Sequence, residues 1–193
     1  MTGRLAADLD PTDPYLRAWW KLDDRTVLGF RDVRRFGRIR VAHGGDYEGL
    51  LAQLGPEPFS EAFSAAHLYR VVKSSRRRVK TQLLSQKPVA GVGNIYADEA
   101  CFRAGVHPGA RSLTRTQAAA LHEAIVYVLR QGIDHGGTTL RDYVDVDGSM
   151  GENQHHLLCY GRYGEPCVRC GQELLRSTID ARTTTWCRTC QRR

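Results

Sequence analysis

Two Cys-x-x-Cys pairs, Cys167/Cys170 and Cys187/Cys190, close the 193-residue sequence with sixteen residues between them. No other feature narrows the fold so far. Two such knuckles hold four thiolates tetrahedrally around one Zn²⁺, with two disulfides or a redox pair as the alternatives. Gly171 suits the tight turn after the second cysteine. Runs that favour β structure flank Ile179-Asp180-Ala181, so the spacer predicts a hairpin that brings the pairs together. The set holds no histidine and no open position, which is the pattern of a closed structural site. A module this small has little core of its own, so metal binding and folding are coupled. Its Arg176 and Arg182, among small hydroxyl residues, suit phosphate contacts, with solvated surface arginines as the bland alternative. Cys101 and Cys159 are left over and read as ordinary thiols, Cys101 buried in its helix.

Charge adds a class of partner. The formal net charge is +7, and arginine supplies most of the excess. Arg34, Arg35, Arg38 and Arg40 form one cluster; Arg76, Arg77, Arg78 and Lys80 form another. Such a balance points to a polyanion, nucleic acid first, against the alternative of a merely basic protein. Apolar residues make up 41%, enough for a packed core. No run of 18 apolar residues offers a membrane span. The opening MTGRLAADLD has no apolar stretch of the secretory kind. The expected setting is therefore reducing and cytoplasmic, which also favours metal over disulfides.

The organisation changes along the chain. Tyr15 to Leu22 and Thr26 to Arg31 read as strands joined by a turn at Asp23-Asp24. Arg38 to Ala42 alternates like a half-buried strand. Gly55-Pro56-Glu57-Pro58 reads as a linker, and helices follow. Ser64 caps a helix to about Lys73. Arg77 to Gln86 is a second, with Val79, Leu83 and Gln82 inward; Ile95 to Ala104 is a third, ended by Gly105. Thr114 or Thr116 opens a fourth, with Leu121, Ile125 and Val128 on its apolar stripe and Gly136-Gly137 at its end. The segment 138–166 reads as an ordered loop, mobile around DGSMGENQ at 147–154. No internal repeat is evident.

GVGNIY at 91–96 is unusually bare for a segment entering a helix. Gly91 and Gly93 permit backbone geometry closed to other residues and remove bulk, so another backbone can come close. Asn94 stands at the helix start, where free N–H groups and the dipole attract an anion. With Lys80 and Lys87 near in sequence, a DNA phosphate is the candidate. A glycine turn with an asparagine cap and no ligand is the alternative. Asp98 and Glu99 read as ordinary first-turn acids.

The stretch RRRVKTQLLSQKPVAGVGNIYADEACFRAGVHPGARS resembles the helix–two-turn–helix element of the formamidopyrimidine-DNA glycosylase (Fpg/Nei) family. The cysteine module resembles that family's zinc finger, with an arginine five residues before the third cysteine and Cys-Gln at the close. HGGTTLRDYVDVDG and YGRYGEPC resemble the linking region, and VRRFG at 33–37 resembles the loop that enters duplex DNA. Within the group, RRFG and the hairpin lean towards formamidopyrimidine-DNA glycosylase over endonuclease VIII. The fold class implied is α+β. Residues 1–54 would be the C-terminal part of a β-sandwich, 55–146 the helix–two-turn–helix domain, and 147–193 the lesion loop with a four-cysteine zinc finger.

The resemblance also implies base-excision DNA repair. Such an enzyme removes oxidised purines, formamidopyrimidine and 8-oxoguanine, from flipped-out positions and cuts the strand at the abasic site. Its expected partner is double-stranded DNA carrying an oxidised base or an abasic site. The expected state is a monomer in a bacterial cytoplasm, at the nucleoid through DNA, with no membrane association. Met1, Arg34 and Phe36 would fill and probe the void, with Phe36 as a wedge beside the partner base and Arg34 bonded to the unpaired base. Arg76, Lys80, Asn94 and Tyr96 would reach phosphates. Tyr15 falls near the position of a family histidine. Residues 147–154 resemble the loop over the flipped base, and Glu152 within it is not expected to act as an acid or base. Arg182 would bind phosphate beside the lesion and assist δ-elimination, the one attributed catalytic role. One structural Zn²⁺ would sit on Cys167, Cys170, Cys187 and Cys190.

In the family, an N-terminal proline amine forms the Schiff base, with a neighbouring glutamate and a lysine managing protons. This sequence opens Met-Thr-Gly-Arg-Leu, which resembles the middle of the β-sandwich. The reading beside the enzyme is therefore a catalytically dead fragment that binds damaged or abasic DNA. A zinc-stabilised protein–protein module is a third reading, and it leaves the Arg34–Phe36 and Asn94 matches without an account. The incomplete sandwich is expected to make the isolated chain prone to aggregate.

Overall fold

The computed structural model describes residues 3–7, 9–41, 43, 49, 52–140, 143–144 and 148–192. The fold is mixed α+β, with strands, helices and then a hairpin in chain order. The chain groups into two compact units, one from residues 1–44 and 132–156, the other from 45–131 and 157–193. That grouping differs from the three consecutive segments expected. The finger joins the helical unit through buried contacts given below, and 147–156 joins the first unit instead of the finger.

In the first unit, β1 (Arg4–Ala7), β2 (Leu16–Lys21) and β3 (Val27–Arg31) form an antiparallel sheet in the order β1-β3-β2. Leu5 faces Phe30 and Trp19 faces Gly29, with a register shift between Leu16 and Ala18. The β2–β3 turn is where the acidic pair placed it: the Asp24 carboxylate accepts the Thr26 N–H at 2.8 Å. The strand expected over Arg38 to Ala42 does not form. Residues 38–41 are irregular and exposed, and Ala42 lies outside the described residues. Ile39 and Val41 alternate in sequence but meet no face to bury, and Val41 is 77% exposed.

The second unit is built on α1 (Ala65–Lys73), α2 (Val79–Leu84), α3 (Asn94–Arg103) and α4 (Arg115–Asp134), the last running three residues into the first unit. The Ser64 hydroxyl caps α1 by accepting the His67 N–H at 3.2 Å. Thr114, not Thr116, opens α4: its hydroxyl accepts the Gln117 N–H while the Gln117 amide oxygen accepts the Thr114 N–H, a reciprocal capping box. At the other end Gly137 N–H reaches Gly132 O and Gly136 N–H reaches Ile133 O, the paired bonds of a Schellman stop. The apolar faces converge on Leu68, Val72, Val79, Leu83, Leu121 and Ile125, all fully buried. Gln82, expected inward, is buried too and spends its amide on the carbonyls of Val72 and Arg77.

β4 (Leu174–Ile179) and β5 (Arg182–Cys187) form the predicted hairpin, paired from Leu174–Cys187 to Ile179–Arg182. Its two-residue tip has positive φ at Asp180 (47°) and Ala181 (59°), the backbone of a type I′ turn. A second apolar cluster joins Phe102 of α3 to Leu174, Cys159, Cys167 and Cys187. The finger therefore has a small core, borrowed in part from α3. No helix among the described residues is long and apolar enough to cross a membrane.

Candidate nucleic-acid interface

The four finger cysteines meet as their spacing requires. Their sulfurs all lie within 4.8 Å of one another. Cys170 and Cys187 Sγ are 3.5 Å apart, Cys167 and Cys190 Sγ 3.9 Å. Tetrahedral Zn–S bonds of about 2.3 Å put sulfurs about 3.8 Å apart, so the set fits one Zn²⁺. A backbone N–H from Gln172 lowers the Cys170 thiol to about 7, easing its deprotonation, while burial raises Cys187. Zinc supplies the charge that holds all four as thiolates and fixes the hairpin base; it is structural.

The finger is tied to the helices by buried charge. The Lys80 ammonium is fully buried, 2.6 Å from an Asp98 carboxylate oxygen. It also donates to the Thr183 carbonyl and the Thr184 hydroxyl, both at 2.9 Å. The other Asp98 oxygen accepts the Thr185 N–H at 3.0 Å. Burial raises the Asp98 carboxyl to about 6 against the pull of Lys80. Glu99 beside it accepts three successive N–H groups, from Leu158, Cys159 and Tyr160, at 2.7–2.9 Å. Arg169, between the knuckle cysteines, donates to the carbonyls of Phe102 and Arg103 at the end of α3.

These contacts correct two expectations. Lys80 does not present its ammonium to solvent: the fixed positive end is consumed by Asp98 and β5, so it holds the interface from behind and does not reach a phosphate. Asp98 and Glu99 lie in the second turn of α3, and both are buried ties between helix and finger. Sequence reading also missed the capping role of Arg169.

The bare turn is partly as expected. Gly91 has φ +81° and needs glycine, but Gly93 sits at φ −93°, open to any residue. A Cβ on either would meet nothing within 4 Å, so both backbones face open space. Gly93 is the cap of α3 and Asn94 its first residue. The first N–H groups of a helix have no intrahelical acceptor, which is the anion-binding property of such an end. The Asn94 amide makes long contacts with the Tyr160 hydroxyl (3.5 Å) and the Thr183 carbonyl (3.4 Å). Tyr96 is half-buried in the first turn. Arg182, adjacent to Thr183, is exposed at the start of β5. Its carbonyl accepts the Thr184 hydroxyl at 3.2 Å, but among the described residues no hydrogen bond or ion pair engages its guanidinium. Arg176 on β4 instead stacks over Tyr163, 4.8 Å from the ring centre.

The second arginine cluster surrounds the hairpin tip. Arg77, Arg78 and Arg111 line a cleft of about 270 Å³ with Thr81 and Asp180. The Thr81 hydroxyl donates to the Asp180 carboxylate across it. Arg76 is exposed beside it, its carbonyl held by Arg111 at 3.2 Å.

The first unit carries the VRRFG loop. Phe36 is 73% exposed, and the Arg34 guanidinium lies 5.1 Å from its ring centre. Asp32 is 3% exposed. One of its oxygens accepts the Gly37 N–H at 2.7 Å and the other the Arg34 N–H at 3.2 Å. The Gly37 N–H, with those of Arg34, Arg35 and Phe36, holds the Asp32 carboxyl below the usual carboxylate range. Tyr15 accepts the Asp32 N–H on its carbonyl, and the Arg31 guanidinium covers its ring at 4.9 Å. Met1 lies outside the described residues. So does Asp147, the first residue of the 147–154 loop. The rest of that loop ends in a pinned segment: Gly151 N–H bonds the Thr139 hydroxyl, and Gln154 bonds Thr139 N–H and Gly151 O. Met150 and Glu152 are exposed there.

Comparison with known proteins agrees with this geometry. Residues 54–144 match the formamidopyrimidine-DNA glycosylase H2TH domain, and 164–193 match the zinc finger found in FPG and IleRS. The formamidopyrimidine-DNA glycosylase of Bacillus licheniformis is 41% identical over 188 residues, 95% of this chain and 68% of that protein. The crystal structure of the MutM (Fpg) protein from Thermus thermophilus superposes with a TM-score of 0.89 at 47% identity, covering 99% of this chain and 73% of that one. Lactococcus lactis Fpg, in complex with N7-benzyl-Fapy-dG containing DNA, superposes at 0.87 and 32% identity, covering 100% and 71%. The two matched segments, the four-cysteine zinc site and the similarity across nearly all of its length place this chain in the formamidopyrimidine-DNA glycosylase family.

Proposed function

We propose that this chain holds duplex DNA at an oxidised purine or an abasic site, as part of a base-excision glycosylase and abasic-site lyase. One observation carries the reading. The Asn94 amide touches the carbonyl of Thr183, the neighbour of Arg182, so the helix start and the finger arginine share one edge. Two phosphate-binding devices of different kinds, a helix N-terminus and a free guanidinium, thus stand side by side. Arg182 takes the phosphate beside the lesion and attends δ-elimination. Arg34 and Phe36 enter the void left by the flipped nucleotide, where an apolar wedge stabilises a kinked duplex. Arg76 and the exposed arginines near it extend the phosphate track.

The test is borohydride trapping on an abasic-site duplex, with a gel shift on the same DNA across a salt series. Binding that weakens steeply with salt is expected, because phosphate contacts release counterions. A trapped adduct assigns the Schiff-base amine to this chain, and binding without one confines the chain to holding DNA. Salt-insensitive or absent binding would overturn the proposal.

A further inference from the structure

We propose that Asp32 is the positioning residue of the void-entering loop, and that its carboxylate sets the preference for a gapped or lesion-bearing duplex over an intact one. The inference rests on the reading of Arg34 and Phe36 given above.

The geometry is that of a peg inside a loop. Asp32 follows β3 directly and is almost wholly buried, yet it pairs with no cation among the described residues. A buried carboxylate without a counter-ion needs hydrogen bonds to its charged form. It takes them from the loop itself, the Gly37 N–H at 2.7 Å and the Arg34 N–H at 3.2 Å. Residues 34 to 37 therefore wrap one anion, as backbone nests wrap phosphates. The wrapping has visible demands. Arg35 adopts φ +56°, uncommon for a residue with a side chain. Gly37 has no room for a side chain: a Cβ would lie 2.4 Å from the Phe30 ring and 3.1 Å from Asp32 Oδ2. The Asp32 backbone is held as well, its carbonyl by Arg17 Nε at 2.9 Å and its N–H by Tyr15.

The consequence is at the other end of the loop. Phe36 is 73% exposed and its ring meets the Arg34 guanidinium of the same loop, so its position follows the loop backbone that carries both. Fixing that backbone before DNA arrives removes an ordering cost from binding. Since only a duplex with a vacancy can admit the wedge, the benefit goes to gapped DNA and not to intact DNA. Asp32 touches no DNA in this account and acts through Phe36.

Six proteins test it: the unmodified chain, Asp32→Asn and Arg35→Asn, each alone and with Phe36→Ala. Affinities are measured for an abasic-site duplex and for the same duplex intact. The amide of asparagine offers one acceptor where the nest needs two. The expected loss in the abasic-to-intact ratio for Asp32→Asn is about five- to tenfold, with intact-duplex affinity kept within about twofold. In the Phe36→Ala background the same change should have no further effect on the ratio. Arg35→Asn loses one cation but tolerates the positive φ and keeps the nest, so affinity for both duplexes should fall together and the ratio should stand. That variant keeps the test decisive if Asp32→Asn does not fold. An unchanged ratio in Asp32→Asn, a loss that persists without Phe36, or a fallen ratio in Arg35→Asn overturns the role of Asp32. Failure of the unmodified chain to prefer the abasic duplex sinks the proposed function as well, and so is told apart from failure of this inference alone.

Discussion

Each of the two units is stabilised internally by different forces. The helical and finger unit converges on fully buried aliphatic side chains, a buried ion pair and a metal site. In the three strands of the other unit, Ala6 is the one apolar side chain buried, while Trp19 is 62% exposed. That sheet is held by its ladder and by polar loops such as the Asp32 nest. The difference divides the labour. The unit that holds Arg182 and the α3 start is over-determined, and the unit that carries the Arg34–Phe36 loop is not. Local opening is expected to be cheap in the sheet and close to global in the helical unit.

The largest effect should come from zinc. Chelation is expected to unfold the hairpin, because structural zinc is worth on the order of 10 kcal/mol or more to such a module. Amide exchange should then rise throughout β4 and β5, DNA affinity should drop, and the β1–β3 amides should stay as they were. Hairpin amides that remain protected after verified metal loss would show that Phe102 and Leu174 suffice. Next is Lys80→Met. It leaves the Asp98 carboxylate buried without its counter-ion, at a cost of about 3–5 kcal/mol in the stability of this unit, read from its denaturation midpoint. The Asp98 carboxyl, already raised to about 6, should rise further once the ammonium that pulls it down is gone, as a carbonyl-carbon NMR titration would read. An unmoved titration would mean that Lys80 and Asp98 do not couple.

Much of this was legible in the sequence because it is written in local spacing. The cysteine pairs, the helix caps at Ser64 and Thr114 and the glycine stop of α4 each act over a few residues. Lys80 was not legible in that way. Its cluster with Arg76, Arg77 and Arg78 looks like one basic face, and only the arrival of β5, a hundred residues later, decides that the lysine turns inward. A signal did exist in Asp98-Glu99: α3 is otherwise Ala, Cys, Ile, Tyr and Phe over its middle, so a helix packed on most sides had no exposed place for two acids. The Arg38 to Val41 alternation failed for the opposite reason. Period two marks a strand only where a partner and a buried face are present. Asp32 was missed because a carboxylate wrapped by its own loop leaves no mark in composition.

The contrast between the units can be tested with one truncation in each. Leu121→Ala removes a fully buried side chain from the helical core and should cost about 2–5 kcal/mol. Trp19→Ala removes a much larger side chain from the sheet, but one mostly in water, and should cost less than about 1 kcal/mol. Equal losses in urea denaturation would mean that the tryptophan is buried in solution and that the sheet is better covered than its exposure implies.

The smallest predicted effect is a gain, and it falls in the tightly packed unit. A two-residue hairpin tip of this kind needs positive φ at both positions. Asp180 tolerates that conformation and bonds Thr81 across the cleft; Ala181, exposed, has a Cβ that opposes it and no bond from its side chain to offset the cost. Ala181→Gly should relieve about 1 kcal/mol of backbone strain and return part of it as entropy of the unfolded chain, for a net gain of about 0.5 kcal/mol. A rise of a few degrees in the finger's melting transition, with zinc affinity at least maintained, is the expected result. A fall would mean that the unfolded-chain entropy outweighs the strain, and that even the best-determined part of the molecule holds its tip by restricting the chain before it folds.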